Sequence, residues 1–173
     1  MAAESADQPA AGAFGTIARR LWPWLALALA IALLDQATKF WVESVFQRGE
    51  RLPVTGFFNL VLVYNTGAAF SFLSDAPGWQ RWALIAVSLV AVVFIGSLLA
   101  RESTRGWFRI ALVLILGGAL GNLWDRIVAG EVVDFLDFYI ANWHWPAFNL
   151  ADSAITVGAT ILVIDSLFGK NHD

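Results

Sequence analysis

Four long apolar stretches, separated by more polar links, are the main pattern in this sequence. Each approaches the roughly 20 residues that a helix needs to cross the hydrocarbon core of a bilayer. The pattern predicts four transmembrane helices, at about residues 21–41, 82–100, 107–128 and 148–168. Residues 1–18 are rich in Ala, Ser, Gly, Gln and Pro, and we expect them to form a flexible tail.

Tryptophan positions support these boundaries independently. The chain contains nine tryptophans, and each lies at or just beyond the end of a predicted span. Indole rings favour the headgroup level of a membrane, so this distribution is typical of transmembrane helix ends. A signal peptide is the alternative for the first span, because Arg19 and Arg20 precede a short apolar run. Asp35 and Lys39 interrupt that run, and no convincing cleavage site follows.

The link between the first two spans, residues 43–80, carries a different pattern. Residues 57–64 are rich in β-formers and lie between turn-forming residues, so they predict a strand. The segment is too short to cross a membrane as a helix, and we place it in a sheet at the membrane interface. The predicted fold class is an all-α membrane protein with four transmembrane helices and a small extracytoplasmic β-sheet, in one domain over residues 1–173.

The distribution of basic residues predicts the orientation. They precede the first span, crowd the short link after the second and follow the fourth: Arg19, Arg20, Arg101, Arg105, Arg109 and Lys170. The link over residues 129–147 has no Lys or Arg, and Arg48, Arg51 and Arg81 are thinly spread along the long link after the first span. Cytoplasmic loops carry an excess of these residues, so both termini should be cytoplasmic and the two long links, 43–80 and 129–147, should lie outside.

Composition agrees with a membrane-embedded chain and narrows its chemistry. Charged residues make up 14% of the chain, whereas about 25% is usual for soluble domains. The net charge of −3 argues against a nucleic-acid partner. With no cysteine and two histidines, thiolate and histidine metal centres are excluded, and we expect no cofactor. Carboxylates, amides, hydroxyls and a few basic groups remain for any chemistry.

Charged residues inside the first span are the first candidates for function. Asp35 and Lys39 stand four residues apart, so they share a helix face and can neutralise each other. Charges at membrane depth are costly and mark functional sites by default. A buried structural pair and a proton or ion relay are both compatible with this pattern.

The third span combines small and polar residues. Gly117 and Gly121 form a face that lets another helix approach closely. Asn122, Asp125 and Arg126 follow on one face near the outer end. We expect the positive charge of Arg126 to keep Asp125 ionised, which suits an orienting or structural residue better than one that exchanges a proton.

Asp134 and Asp152 are the candidate catalytic pair. Asp134 has apolar neighbours on both sides, and burial there should raise its pKa. Asp152 forms a polar stripe with Asn149 and Thr156 near the start of the fourth span, where capping the helix N-terminus is its alternative role. Asp137 is expected to reach water. Because Asp134 and Asp152 belong to the same membrane face, they can meet, share one proton and activate water as base and acid.

Five segments, in order from the first span to the fourth, resemble the lipoprotein signal peptidases (signal peptidase II), which are bacterial four-span aspartic proteases. They are Asp35-Gln36-Ala37-Thr38-Lys39, Asn65-Thr66-Gly67-Ala68-Ala69-Phe70, Gly117-Gly118-Ala119-Leu120-Gly121-Asn122-Leu123-Trp124-Asp125-Arg126, Val132-Val133-Asp134-Phe135 and Phe148-Asn149-Leu150-Ala151-Asp152. Each segment alone is weak, but five in order are highly specific.

The resemblance implies a set of roles and partners. Asp134 and Asp152 would be catalytic. A second group would line the substrate site: Asn65, Asn122, Arg126 and Asn149. A third group would support it: Asp35, Lys39, Gly67, Gly118, Asp125 and Ala151. The resemblance also implies a monomer in the bacterial cytoplasmic (inner) membrane, surrounded by membrane lipid. It would cut a prolipoprotein before its diacylglyceryl-modified cysteine, and globomycin-type peptides would inhibit it.

Two other classes of protein remain as alternatives. A four-span transporter would use Asp35 and Asp152 to carry protons or cations, but the chain has no visible internal repeat and its carboxylates cluster at one face. An inert assembly scaffold would explain the glycine-rich face, but not the unneutralised Asp134 and Asp152.

Overall fold

The fold consists of four long helices and a small sheet. The computed structural model describes residues 10–67, 78–101 and 106–168, with side chains described from residue 19 onward. The helices are α1 (Ala10–Val45), α2 (Trp79–Leu99), α3 (Gly106–Val128) and α4 (Leu150–Phe168). All four contain a segment that is long and apolar enough to cross a membrane, which confirms the predicted fold class.

The sheet lies at one end of the helix bundle, which we call the sheet end. Its strands are β1 (Arg51–Thr55), β2 (Phe58–Asn65), β3 (Val132–Ile140) and β4 (Trp143–His144). They pair antiparallel in the order β1-β2-β3-β4. The strand predicted over residues 57–64 is confirmed as β2, shifted by one residue. Sequence analysis missed β3, although its run of Val, Phe, Tyr and Ile is typical of a strand.

The helix bounds differ from the predicted spans by several residues, and two of these differences have a clear physical reason. α1 begins at Ala10, so residues 10–18 are helical and not a flexible tail; residues 1–9 lie outside the described residues. Extending an existing helix needs no new nucleation, and alanine has the highest helix propensity, so this Ala-rich segment continues α1. α4 begins at Leu150 and not at residue 148, because Phe148 is paired with β3.

The pairing of Phe148 with Leu136 fixes the start of α4 against the sheet. The amide of Leu136 donates to the carbonyl of Phe148 at 2.8 Å, and the amide of Phe148 donates back to Leu136 at 3.1 Å. These bonds satisfy backbone groups that would otherwise be unpaired at the junction of strand and helix. They also bring Asp134, on β3, next to the residues that open α4.

Helix α3 lies at the centre of the bundle and packs against the other three helices. Three glycines allow its close approach to α1 and α4, because a side chain at any of them would collide with one of these helices. Gly117 faces Ile31 on α1, Gly121 faces Asp35 on the same helix, and Gly118 faces the backbone of Ala151 on α4. The predicted close approach through Gly117 and Gly121 is therefore confirmed, with α1 as the partner.

The close approach of α3 and α4 leads to a first prediction. A Gly118→Ala substitution would place a methyl group against the Ala151 carbonyl oxygen and force the two helices apart. Overpacking of this kind costs about 1–3 kcal/mol, so the unfolding temperature in detergent should fall by several degrees. Gly96→Ala on α2 is the matched control, because an added Cβ there meets nothing within 4 Å. Equal melting curves for the two variants would contradict this packing.

Candidate active site

A cavity of about 620 Å³ opens between α2, α3, α4 and the sheet. Five of the predicted site residues line it near the sheet end: Asn65, Asn122, Arg126, Asp134 and Asp152. Most of the remaining lining is apolar and comes from α2, α3, α4 and the segment 145–148 that precedes α4. The cavity therefore joins a polar end, where the two aspartates lie, to an apolar groove along the helices.

Asp134 lies on β3 and is only 2% exposed. Its Oδ1 accepts a hydrogen bond from the side-chain amide of Asn149 at 2.8 Å, and its Oδ2 accepts one from Asn65 at 3.1 Å. Burial and the nearby charge of Asp152 raise the pKa of Asp134 to about 7, against these hydrogen bonds, which lower it. The expectation that burial raises this pKa is confirmed.

Asp152 lies in the first turn of α4 and both caps that helix and faces the cavity. Its Oδ2 accepts the backbone N–H of Asn149 at 3.3 Å, while the Oδ1 atom of Asn149 accepts the N–H of Asp152 at 2.9 Å. These reciprocal bonds have the pattern of a capping box, which satisfies N–H groups at the helix start. Asp152 Oδ1 accepts a further bond from Asn122 at 2.8 Å. The capping role and the site role are thus combined in one side chain.

Two amides connect the two aspartates. The Nδ2 atom of Asn149, which donates to Asp134, also lies 3.2 Å from Oδ1 of Asn122, and Asn122 in turn donates to Asp152. Asn149 is fully buried and Asn122 nearly so. The chain of bonds Asp134–Asn149–Asn122–Asp152 fixes the relative position of the carboxyl groups.

Lys39 donates a hydrogen bond to Asn122 and so fixes one end of this chain of amides. Its Nζ atom contacts Asp35 at 2.7 Å, Asp125 at 2.6 Å and Oδ1 of Asn122 at 2.9 Å, and the residue is 2% exposed. The predicted Asp35–Lys39 pair is confirmed. The sequence had suggested Arg126 as the cation beside Asp125, but the cation in contact with it is Lys39. Asp125 and Arg126 are adjacent on the helix, and their side chains therefore point in different directions.

Asp35 extends the same cluster to α4. Its Oδ1 accepts the backbone N–H of Ala151 at 2.9 Å, so a residue of α1 satisfies the first turn of α4. The carboxylate fits there because Gly121 has no side chain at the contact. Gly118 and Ala151, which were implied to be supporting residues, meet where α3 crosses α4.

Arg126 turns towards the end of β2. Its guanidinium donates to the carbonyl of Gly67 at 3.0 Å and to that of Asn122 at 3.3 Å. The Oδ1 atom of Asn65 accepts the N–H of Gly67 at 2.9 Å, which leaves its Nδ2 directed at Asp134. Gly67 thus links Arg126 to Asn65 at the rim of the cavity.

Three further polar residues hold the site or the sheet in place, and none of them was predicted to do so. Gln36 donates to Asp125 at 2.7 Å and lies within the first quoted segment, where its polarity on an apolar helix was the available signal. Arg81 donates to the carbonyls of Arg126 and Ile127, both at 2.9 Å, and so ties α2 to the end of α3.

Asp137 is the third, and the expectation that it reaches water is wrong because it is only 3% exposed. Its carboxylate accepts bonds from Asn59 at 2.8 Å and contacts His144 at 2.8 Å and Arg51 at 3.4 Å. Burial opposes ionisation, but the hydrogen bonds and the charge of Arg51 outweigh it and lower the pKa of Asp137. This carboxylate therefore stabilises the sheet away from the cavity.

Comparisons with known proteins agree with this architecture. A family model described as Signal peptidase (SPase) II matches residues 27–168. A lipoprotein signal peptidase of Paraburkholderia phytofirmans is 60% identical over 147 residues, which cover 85% of this chain and 86% of the relative. A lipoprotein signal peptidase of Burkholderia cenocepacia is 52% identical over 165 residues, or 95% of each chain. A solved bacterial membrane enzyme is 28% identical and superposes with a TM-score of 0.78, over 88% of this chain and 94% of that one.

The fold is that of a multi-pass membrane protein. The family model matches most of the chain and identifies the family. The chain belongs to the signal peptidase II family and is a membrane-embedded peptidase.

The buried cluster around Lys39 leads to a second prediction. Lys39→Met would leave Asp35 and Asp125 buried without their cation, which typically costs about 3–5 kcal/mol, so the unfolding temperature should fall strongly. Arg48→Met is the matched control, since its pair with Glu131 is 3.4 Å long and Arg48 is 68% exposed. Surface pairs contribute about 0–1 kcal/mol, so the control should melt close to wild type. Similar losses in both variants would refute the role of Lys39.

Proposed function

We propose that this chain removes signal peptides from prolipoproteins as an aspartic endopeptidase, cutting before a diacylglyceryl-modified cysteine. The observation that carries the proposal is that Asp134 and Asp152 line one cavity and are connected through Asn149 and Asn122. The family membership and the names of the relatives support the substrate class.

The two aspartates differ in ways that suggest distinct roles. Asp134 is the more buried, and its pKa of about 7 allows it to hold a proton under neutral conditions. Asp152 is only half-buried, and the charge of Arg126 acts more strongly on it than on Asp134. Solvent access and positive charge favour the ionised form. We therefore assign the proton to Asp134 and the base to Asp152.

The two carboxyl groups and one water molecule then supply every proton transfer that the hydrolysis needs. Asp152 takes a proton from a water molecule, whose oxygen attacks the scissile carbonyl carbon, while Asp134 gives its proton to the carbonyl oxygen. In the second step the carbon–nitrogen bond breaks, Asp152 returns the proton to the amine, and Asp134 regains one from a hydroxyl of the intermediate. The amides of Asn65, Asn122 and Asn149 hold both carboxyl groups in position throughout.

A membrane location fits such a substrate. The lipid and the apolar signal segment would remain in the groove between α2 and α4, whose lining is largely apolar. Transferring acyl chains to water costs about 0.8 kcal/mol per CH₂, so a soluble site would be disfavoured.

The density of basic residues favours the sheet end as the outer side. Arg19, Arg20, Arg101 and Arg109 crowd the opposite ends of the spans, whereas Arg48, Arg51 and Arg81 are spread over the long link at the sheet end. Impermeant labelling of a cysteine introduced into this cysteine-free chain would check that orientation.

Substitution of the aspartates gives the third prediction. Asp134→Asn or Asp152→Asn should lower cleavage of a purified diacylated precursor by at least about 10³-fold, because each removes one partner in proton transfer. Gel-shift of the precursor measures this, and thermal melts show whether the variants fold.

Asp137→Asn is the matched control for this experiment, since Asp137 lies on the same strand but bonds to the sheet and not to the cavity. It should retain turnover. Asp125→Asn should act mainly through stability, because that carboxylate contacts Lys39 and Gln36. Full processing of the precursor by Asp134→Asn or by Asp152→Asn would refute the mechanism.

The pH dependence is the fourth prediction. Asp134 must be protonated to act, and its pKa is about 7, so kcat/KM should fall about tenfold per pH unit above neutrality. The apparent value belongs to the coupled pair. Initial rates measured between about pH 6 and 9 in detergent would show this decrease in kcat/KM. A kcat/KM that stays constant up to pH 9 would exclude Asp134 as the proton carrier.

A further inference from the structure

Hydroxyl groups on the described helices show two different behaviours. Several are bonded to carbonyls of their own helix: Ser97 to Phe94 at 2.7 Å, Ser153 to Asn149 at 2.9 Å and Thr160 to Thr156 at 2.8 Å. Such bonds are expected within a bilayer, where a polar group without a partner is costly. They leave these hydroxyls without a free hydrogen.

Ser88 on α2 and Thr156 on α4 behave differently. Within the described part of the chain, neither hydroxyl makes a hydrogen bond, and both residues line the 620 Å³ cavity. Ser88 is half-buried and Thr156 is exposed. Both therefore offer a hydrogen-bond donor to the cavity, one from α2 and one from α4, among apolar lining residues that include Val87, Ala91 and Val157.

The position of Thr156 relates these donors to the aspartates. Thr156 is four residues beyond Asp152 on α4, which is about 6 Å along the axis and on the same helix face. A substrate whose scissile bond lies at Asp152 would therefore place neighbouring atoms along the cavity wall that carries Thr156. The acceptors it can present there are carbonyl oxygens, either of lipid esters or of peptide groups.

We propose that Ser88 and Thr156 bind ester carbonyl oxygens of the diacylglyceryl group, and so help to select lipid-modified substrates. This rests on the proposed function. The ester carbonyls stand a few bonds from the cysteine sulfur, accept hydrogen bonds and have no donor of their own in the lipid. The acyl chains beyond them match the apolar part of the groove. Peptide carbonyls at the end of a signal helix offer the same chemistry, because the last four lack partners in the helix.

Two precursor forms distinguish these sources. One carries the diacylglyceryl group, and the other carries a dialkylglyceryl ether, which lacks the ester carbonyls but keeps the chains. Ser88→Ala and Thr156→Val remove each hydroxyl with little change of shape. With the diester, KM should rise about 2- to 10-fold for each variant while kcat stays constant, as for a bond equal in ground and transition states. With the diether, each variant should have the same KM as the wild-type enzyme.

Matched controls on the same helices are Ser97→Ala and Thr160→Val, whose hydroxyls bond to helix carbonyls; they should leave both KM values unchanged. A similar rise in KM for diester and diether would overturn the ester assignment in favour of peptide carbonyls. Unchanged KM for the diester in both variants, with normal melting, would overturn the role of the hydroxyls altogether. Failure of wild type to cut either precursor would refute the proposed function, which is a separate outcome.

Discussion

The three hydrogens on the Nζ atom of Lys39 need acceptors, because water scarcely reaches this side chain. The structure supplies Asp35 from α1, together with Asp125 and Asn122 from α3. An ammonium group only donates, so Asn122 must present its oxygen to Lys39 and its amide hydrogens to Asp152. One buried charge thus determines which way the amide beside Asp152 is turned, and the arrangement of the remaining site follows from it.

The need to satisfy buried hydrogen-bond donors also fixes the start of α4. A helix N-terminus leaves N–H groups unsatisfied, and here their acceptors come from Asp35, Asn149 and Asp152. Because Asn149 also donates to Asp134, capping the helix and joining the two aspartates are one structural requirement. Substitution of Asn149 would therefore be expected to affect stability and the site together, and its effects could not be divided cleanly between them.

Sequence reasoning succeeded where the physical signal is local or chemically costly. Apolar runs of transmembrane length gave the four helices, and unneutralised carboxylates drew attention to Asp134 and Asp152, whose roles remain predictions. It failed where the outcome depends on distant partners. The cation for Asp125 lies 86 positions away, and Asp137 is buried because β2 and Arg51 cover it. Strand β3 had a β-rich signal, but without the pairing of Phe148 and Leu136 its position could not be inferred.

The placement of the site at the junction of strand and helix has a physical reason. Non-helical backbone is tolerated near a bilayer only when its N–H and C=O groups are paired, and β3 achieves this with β2 and Phe148. Asp134 can therefore stand on an extended segment at the end of the bundle, while α2 and α4 continue the cavity as an apolar groove. On the proposed function, water would reach the scissile bond from the sheet end, and the lipid would remain among helices.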